Sequence, residues 1–424
     1  MYDSYTFVFH TALDETPKFP VIEDDSLLTL IQRKTFDYFW DYGHPVSGLS
    51  RDRLGGGDVV TSGGSGFGMM AILVGIERGF ITRQEGFERL NTMVNFLIKP
   101  STNKFHGAFP HWLNGSSGMV YPFSTTDNGG DLVETAFLMQ GLLTVKQYFT
   151  NGSVQETAMC DSITKIWGGV EWDWYRHDSQ NRLYWHWSPD YNWEMNMPVT
   201  GWNEALIVYI LAASSPSHSI TKEVYDEGWA RNGAIRNGNT YYNIELPLGE
   251  SLGGPMFFAH YSFLGLDPRN LDDVYADYWV QNTAHALINH AYCADNPMNY
   301  PGYSEDCWGL TASDIPNGYS ASSPTNDLGV IAPTAAISSI PYTPDKSMDA
   351  IRFFYYILGD QLWGEYGFYD AFSLKDRWFA SSFLAIDQGP IVCMIENYRT
   401  GLLWELFMQD EDVKAGLTKL GFSY

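Results

Sequence analysis

The sequence predicts an all-α (α/α)6 toroid, an inner ring of six helices inside an outer ring of six, with a short N-terminal extension and loop hairpins. Two kinds of helical segment alternate along the chain. Every second segment opens on glycine and is rich in small and apolar residues, as in SGGSGFGMMAILVGI, DNGGDLVETAFLM, TGWNEALIVYILA, GGPMFFAHYSFLG, DLGVIAPTAAISSI and QGPIVCMIENYRTG. The opening glycines, Gly66, Gly130, Gly201, Gly254, Gly329 and Gly389, are 64, 71, 53, 75 and 60 residues apart. The intervening segments, such as TRQEGFERLNTMVNFL, are one-sided and amphipathic, as outer helices must be. Small residues let inner helices approach closely. The plainer alternative is an irregular helical bundle whose glycines serve only as caps.

In chain order, residues 1–25 form the extension, with TFVFH alternating like a strand. A helix covers 26–40. The glycine-rich loop PVSGLSRDRLGGGDVVTSGGSG then leads into a helix at 67–79. Thr82, with Glu85 three residues later, starts a third helix over 82–97 with a capping box. The stretch FSTTDNGGDLVETAFLMQGLL supplies the fourth, with Asn128 as its N-cap and Asp131 closing the box. If that first turn is helical, Asp127 and Asp131 share one face. A fifth helix spans 154–168, and the DSQN turn after it predicts a β-hairpin. Further helices follow at 202–213, 221–230, 255–264, 272–292, 327–340, 344–358 and 390–400. Residues 402–424 form a helical appendage, and the whole chain, 1–424, is one catalytic domain with no internal boundary.

Composition narrows the function. There are 50 Asp and Glu against 25 Lys and Arg, a formal charge of -25. Such a surface repels nucleic acid and anionic membranes, so a neutral soluble substrate is expected. No run of 18 apolar residues is present, so no transmembrane segment is predicted. The four cysteines show no CxxC spacing, although a Cys293–Cys307 disulfide stays open. His285 and His290 lack zinc-ligand spacing, and there is no EF-hand loop, no phosphate loop and no GxSxG elbow. No metal and no cofactor are expected, although a calcium ion on Asp and Asn groups stays open. A monomer is expected.

If all inner helices start at one mouth of the ring, their acids converge there: Asp127 and Asp131, Glu204, Asp327 and Asp387. Acids at helix starts also serve as caps and complements to the helix dipole. Three together beside paired glycines and tryptophans point further, to carboxylate chemistry. A helix N-terminus lowers a carboxyl pKa whereas a general acid needs a raised one, and crowding with aromatic walls supplies that rise. Glu204 is the candidate proton donor, and Asp131, supported by Asp127, the candidate to hold the attacking water. Around them, loops carry Trp112, Trp185, Trp187, Trp193, Trp202 and Trp308 beside His111 and Asn203. Apolar faces with polar rims suit sugar rings, so the partner is a neutral oligo- or polysaccharide. Arg51 and Arg377, scarce bases in loops, either pair with acids or hold hydroxyls.

Long segments, among them FHGAFPHWLNG, DNGGDLVETAFLMQGLL, WHWSPDYNWEMNMPVTGWNEALIVYILAASSPSH, GGPMFFAHYSFLGLDP and FLAIDQGPIVCMIENYRTGLLW, resemble the glycoamylase-like family of bacterial proteins. That family includes the endo-β-1,2-glucanases of glycoside hydrolase family 144. The resemblance runs from about residue 27 to 407. It implies the toroid, export to the periplasm or outer surface, and endo-cleavage of linear β-1,2-glucan to sophorooligosaccharides with anomeric inversion. It also implies that the family's acids fall on Asp127, Asp131 and Glu204. A glycosidase of β-1,3 or α-1,4 linkages, or a non-catalytic glycan-binding protein, is the competing expectation.

Overall fold

The computed structural model describes residues 13–424, so the strand expected at TFVFH lies outside the described residues. Six helices fill the first half: α1 (Asp24–Asp41), α2 (Ser62–Glu77), α3 (Arg83–Ile98), α4 (Leu132–Phe149), α5 (Val154–Gly168) and α6 (Leu206–Ser214). A short α7 (Lys222–Val224) runs on into a π-helical turn, Tyr225–Trp229. Two 3-10 turns, Met256–Ala259 and Tyr261–Phe263, then precede α8 (Tyr278–Asp295), α9 (Pro333–Ser338) and α10 (Pro344–Arg352). The chain ends with α11 (Gly359–Leu362), α12 (Ala385–Arg399), α13 (Leu402–Met408) and α14 (Glu411–Leu420).

The inner members are α2, α4, α6, the 3-10 pair, α9 and α12, and named contacts close them into a ring. Gly63 N–H donates to Glu134, joining α2 to α4, and α4 packs in turn on α6. Ser262 Oγ accepts from Ile207 N–H at the start of α6. His260 Nε2 lies 3.0 Å from Ser339 Oγ behind α9, and Thr334 Oγ1 donates to the Asp387 carbonyl of α12. Ala385 of α12 packs against Gly64 of α2, which completes the circle. These contacts also set the starts of α2, α4, α6, α9 and α12 at one mouth. Helix α6 is buried along its whole length, whereas α3 buries only the stripe Phe87, Leu90, Met93, Val94, Phe96 and Leu97. That difference is the burial pattern expected of inner and outer layers.

Several elements depart from expectation for identifiable reasons. Helix α2 starts at Ser62, so the GGSG run is helical rather than loop. Gly66 faces α4 so closely that a Cβ there would sit 2.2 Å from the Phe137 carbonyl oxygen, and Gly141 in turn meets Gly66. Tertiary contact has overridden glycine's poor helix propensity. The fourth inner member is 3-10 rather than α, and α9 starts at Pro333, leaving Asp327 in the preceding loop. Helix α12 starts at Ala385 and tolerates Pro390 in its second turn. No hairpin forms at DSQN; Leu183–Tyr184 pairs instead with Pro198–Val199. The Thr82 capping box with Glu85 is present.

All four cysteines are buried free thiols, Cys293 and Cys307 included. Burial pushes His260 down to about 3 and His285 down to about 4, so both core imidazoles are neutral. The appendage packs onto the ring: α14 lies on α6, and Asp410 accepts from Lys146 and Gln147 of α4. Among the described residues, no helix is long and apolar enough to cross a membrane.

The crossing of α2 and α4 makes a direct prediction. Gly141→Ala places a methyl against the Gly66 backbone and should cost about 1–3 kcal/mol by overpacking. Gly168→Ala, with open space around it, should be neutral or gain up to about 1 kcal/mol. Urea unfolding of the two variants checks the contrast; equal midpoints would contradict the close crossing.

Candidate active site at the ring mouth

The site is built outward from the start of α4. Helix α4 begins only at Leu132, so Asp127 and Asp131 do not share a helical face as expected. Asn128 is not the cap, because Gly130–Asp131 is extended and pairs with His186–Trp187, Asp131 opposite His186. That pairing needs glycine at 130, where a Cβ would sit 2.0 Å from the Tyr175 hydroxyl. Asp131 is itself the N-cap: its Oδ1 accepts from the N–H groups of Val133 and Glu134, both at 2.9 Å. Its Oδ2 accepts from Trp185 Nε1 at 3.2 Å and lies 3.4 Å from His111 Nδ1. Four partners fill the acceptor capacity of one carboxylate. Asp127 reaches the same place from a turn closed on Ser124, and its Oδ1 lies 3.0 Å from His186 Nε2.

Two glutamates complete this wall. Glu134, buried, accepts from Gly63 N–H at 2.7 Å and from the Thr61 hydroxyl at 3.1 Å. Burial raises its pKa, partly offset by His111 and reinforced by Asp131. Glu204 precedes α6: Gly201 turns the chain at φ 78°, Trp202 is buried, and Asn203 Oδ1 accepts from Ala205 N–H at 2.9 Å. The Ser262 hydroxyl donates to the Glu204 carbonyl, fixing the backbone. The carboxyl group is pushed up to about 7, first by burial and then by the charges of Glu134 and Asp131. His111, held among Glu134, Asp131 and Asp127, is pushed up to about 9 against its own desolvation.

A second carboxyl group faces the same mouth from α12. Asp387 touches Asp370, and its Oδ1 lies 3.4 Å from the Tyr261 hydroxyl. Burial is the main cause that raises both aspartates, with the charge of Asp314 adding for Asp370 and the charge of Asp370 adding for Asp387. Asp370 also accepts from Asp314 N–H at 2.7 Å, and Asp314 pairs with Arg53 at 3.3 Å and with the Ser382 hydroxyl at 2.5 Å. Tyr261 lies between the walls, sensing Asp387 and Glu204 alike and packed on Phe67 and Phe137.

The predicted residues therefore divide. Asp127, Asp131, Glu204, His111 and Trp185 come together, and Asp387 stands on the second wall. Trp112 donates to Asp52 at 3.0 Å beside Phe123, which is 50% exposed and packs on His111. Trp187 and Trp193 both pack on Trp174, partly exposed near the Asp131 strand. Trp202 is core, set against Phe263 and Tyr278. Trp308 is also core, donating to the Lys346 carbonyl, so neither tryptophan offers an open sugar platform. Asp327 is engaged by the hydroxyls of Tyr292 and Tyr303. Arg51 staples its own loop through the carbonyls of Gly57 and Tyr42. Arg377 lines a separate surface pocket of about 600 Å³ with Lys18 and Asp360. Sequence reasoning missed Asp370, Asp314 and Tyr261. Of these, only Tyr261 carried a signal, since it sits within a glycine-led inner segment.

Known proteins share this architecture. The glycoamylase family model, described as "Putative glucoamylase", matches residues 196–411. The crystal structure of a "putative glucoamylase" from Bacteroides uniformis is 56% identical, with a TM-score of 0.94, covering 96% of this chain and 99% of that one. The endo-β-1,2-glucanase from Chitinophaga pinensis, in complex with sophorotriose and glucose, is 54% identical, with a TM-score of 0.92 over 95% of this chain and 99% of that one. The exo β-1,2-glucooligosaccharide sophorohydrolase (non-reducing end) of Parabacteroides distasonis is 47% identical over 419 residues; this chain spans 58% of its length.

The anchoring role of Asp131 is testable by stability. Asp131→Ala removes the α4 cap and strands the Trp185 N–H, and should cost about 2–4 kcal/mol. Asp131→Asn keeps an acceptor for the cap and should cost about half as much. Denaturant unfolding measures both; an unchanged midpoint in the alanine variant would refute the anchor.

Proposed function

The chain belongs to the bacterial glycoamylase-like family to which the β-1,2-glucanases are related, and from that premise we propose that it is a glycoside hydrolase acting on neutral β-1,2-glucan. The carrying observation is Glu204: a carboxyl group at the ring mouth, pushed up to about 7 and flanked by Asp131 and Glu134. Such a group keeps a proton near neutral pH and can deliver it to a glycosidic oxygen. In an inverting reaction a second carboxylate takes a proton from water on the opposite face of the sugar. Asp131, its acceptor sites filled, serves by holding His111 and Trp185. The water falls to the Asp370–Asp387 pair, which in its singly ionised form can accept a proton from across Tyr261.

Endo-action to sophorooligosaccharides is the finer part of this reading. Its support is the Chitinophaga pinensis relative, which this chain covers almost end to end. The Parabacteroides distasonis relative supports the second reading, exo-release from the non-reducing end. An exported location belongs to the same proposal through the family resemblance.

The test is a time course on linear β-1,2-, β-1,3- and α-1,4-glucans with size analysis of products. Endo-action predicts a ladder of short β-1,2-oligosaccharides early in the reaction; sophorose alone from the outset would establish the exo reading. Chelation by EDTA should leave the rate unchanged, whereas loss of activity restored by calcium would mean an essential ion. No cleavage of any glucan would favour a binding protein.

The proton donor makes its own prediction. Because Glu204 must be protonated to act, kcat/KM should fall with rising pH above about 7, by about tenfold per unit once the group is ionised. Glu204→Gln should lower kcat by about 10²- to 10⁴-fold on natural glucan and abolish that alkaline limb, with folding and oligosaccharide binding intact. Near-normal turnover in this variant would remove Glu204 from the role. Asp387→Asn should lower kcat comparably.

A further inference from the structure

Two short hairpins stand beside the second wall. In one, Ala312–Ile315 pairs with Gly318–Ala321; in the other, Phe372–Ser373 pairs with Trp378–Phe379. The first is rooted in the inner ring, because Met256 N–H donates to the Leu310 carbonyl and Phe257 N–H to Thr311 Oγ1, both at 3.0 Å. It is also pinned to the wall, where Asp314 N–H donates to Asp370 at 2.7 Å. Between the hairpins lies a cleft of about 280 Å³ lined by Arg53, Asp314, Gly318, Trp378 and Ser382. Tyr319 joins this cleft to the mouth. It follows Gly318 and stands directly opposite Asp314 in the strand pairing, so the two side chains share a face. It is 49% exposed, and it lies in the field of Asp387, Asp370 and Asp314. We propose that the cleft is a binding subsite for one neutral glucosyl unit, and that the glycan chain passes over Tyr319 from this cleft to the catalytic mouth.

The lining selects the class of ligand. Trp378 is partly exposed, and an aromatic face flanked by hydrogen-bonding groups is what a sugar ring requires. The N–H groups of Arg53 reach the Asp314 carboxylate at 3.3 to 3.4 Å. That is longer than the about 2.7–2.9 Å of a tight charge-assisted pair. A guanidinium held this loosely keeps donors free for a hydroxyl group, and it is partly exposed to receive one. Charged ligands fit less well. Asp314 and Asp52 already offset the charge of Arg53, which disfavours an anion, and Arg53 in turn disfavours a cation beside Asp314. A neutral, hydroxyl-rich ligand remains. The cleft is smaller than the about 300–1,000 Å³ of pockets for drug-sized ligands, which limits it to a single sugar unit. Asp314 belongs both to the cleft and to the wall, so the sugar and the Asp370–Asp387 pair meet at one residue.

The choice of a β-1,2-glucosyl unit rests on the hydrolase reading, and the experiment separates the two. Full-length Glu204→Gln chain is titrated calorimetrically with β-1,2-glucooligosaccharides of increasing length, while wild-type chain is assayed for β-1,2-glucan hydrolysis. Affinity should rise in steps as added units fill successive subsites. In Trp378→Ala on the Glu204→Gln background, one of those steps should shrink by about 3- to 10-fold while the shorter oligosaccharides bind as before. Trp378 also packs beside Val330, Ala332 and Ala371, so Tyr319→Ala, on a half-exposed hairpin position, is the second variant and should lose the same step. Tyr398→Ala, exposed near the far end of α12, should leave every step unchanged. An unaltered length profile in both Trp378→Ala and Tyr319→Ala overturns the subsite, and so does equal weakening at every length, which marks general damage. Absence of binding at any length overturns it too, whatever the wild type cleaves. A lost step in a protein whose wild type cleaves no glucan upholds the subsite and counts against the hydrolase reading alone.

Discussion

The mouth of this ring depends on how closely α2 and α4 cross. Gly66 and Gly141 let the two backbones touch, and no side chain larger than hydrogen fits between them. The approach brings the first turn of α2 over the first turn of α4, so that Gly63 N–H reaches Glu134. A Cβ on Gly63 would sit 2.7 Å from the carboxylate it serves. Once α2 and α4 are locked in parallel, α12 can lay Ala385 against Gly64 and bring Asp387 to the same mouth. Close packing of small residues, which contributes little apolar area of its own, thus brings Asp131, Glu134 and Asp387 to one opening.

Within that opening the backbone sorts the acids. Asp131 occupies the helix cap and accepts two N–H bonds from the first turn of α4. Glu204 lies two residues ahead of α6, whose N-cap residue, Ala205, makes no side-chain cap bond, while Asn203 Oδ1 accepts from Ala205 N–H. Its carboxyl group caps no helix, and burial with its two acidic neighbours raises it over the lowering effect of its own backbone N–H. The conflict between helix starts and proton donors is resolved by position: one acid caps, the other is displaced from the cap.

Much of this was legible in the sequence, for physical reasons that also mark its limits. Glycine-led apolar segments alternating with amphipathic ones report burial on all sides against burial on one, which is the difference between inner and outer helices. The convergence of Asp127, Asp131 and Glu204 followed from that alternation. The grounds for pairing Asp127 with Asp131 did not hold, because a strand pairing with His186–Trp187 was read as a helical turn. Trp202 and Trp308 read as platforms because density of aromatics does not reveal which side of a loop faces the core. Asp370 and Asp314 lie in hairpin loops with no periodic pattern, and only tertiary contact with α12 and Arg53 gives them meaning. Gly66 and its neighbours read as loop because local propensity carries no information about a helix packed across them.

The chain's shortage of bases also shapes its chemistry. In most proteins a buried carboxylate is balanced by Arg or Lys. Here Lys and Arg number 25 in the whole chain against 50 acids. The one arginine beside the second wall, Arg53, bonds Asp314 rather than Asp387. On the first wall the positive charge is His111. Among the described residues no guanidinium bonds Glu134, Glu204, Asp370 or Asp387, and burial, which disfavours the charged form, is the first cause acting on each. All four are raised accordingly. A neutral glycan brings no charge to disturb that arrangement, so its arrival leaves the protons in place for transfer. The shortage of cationic partners for these buried acids is thus the property that suits the mouth to an uncharged sugar.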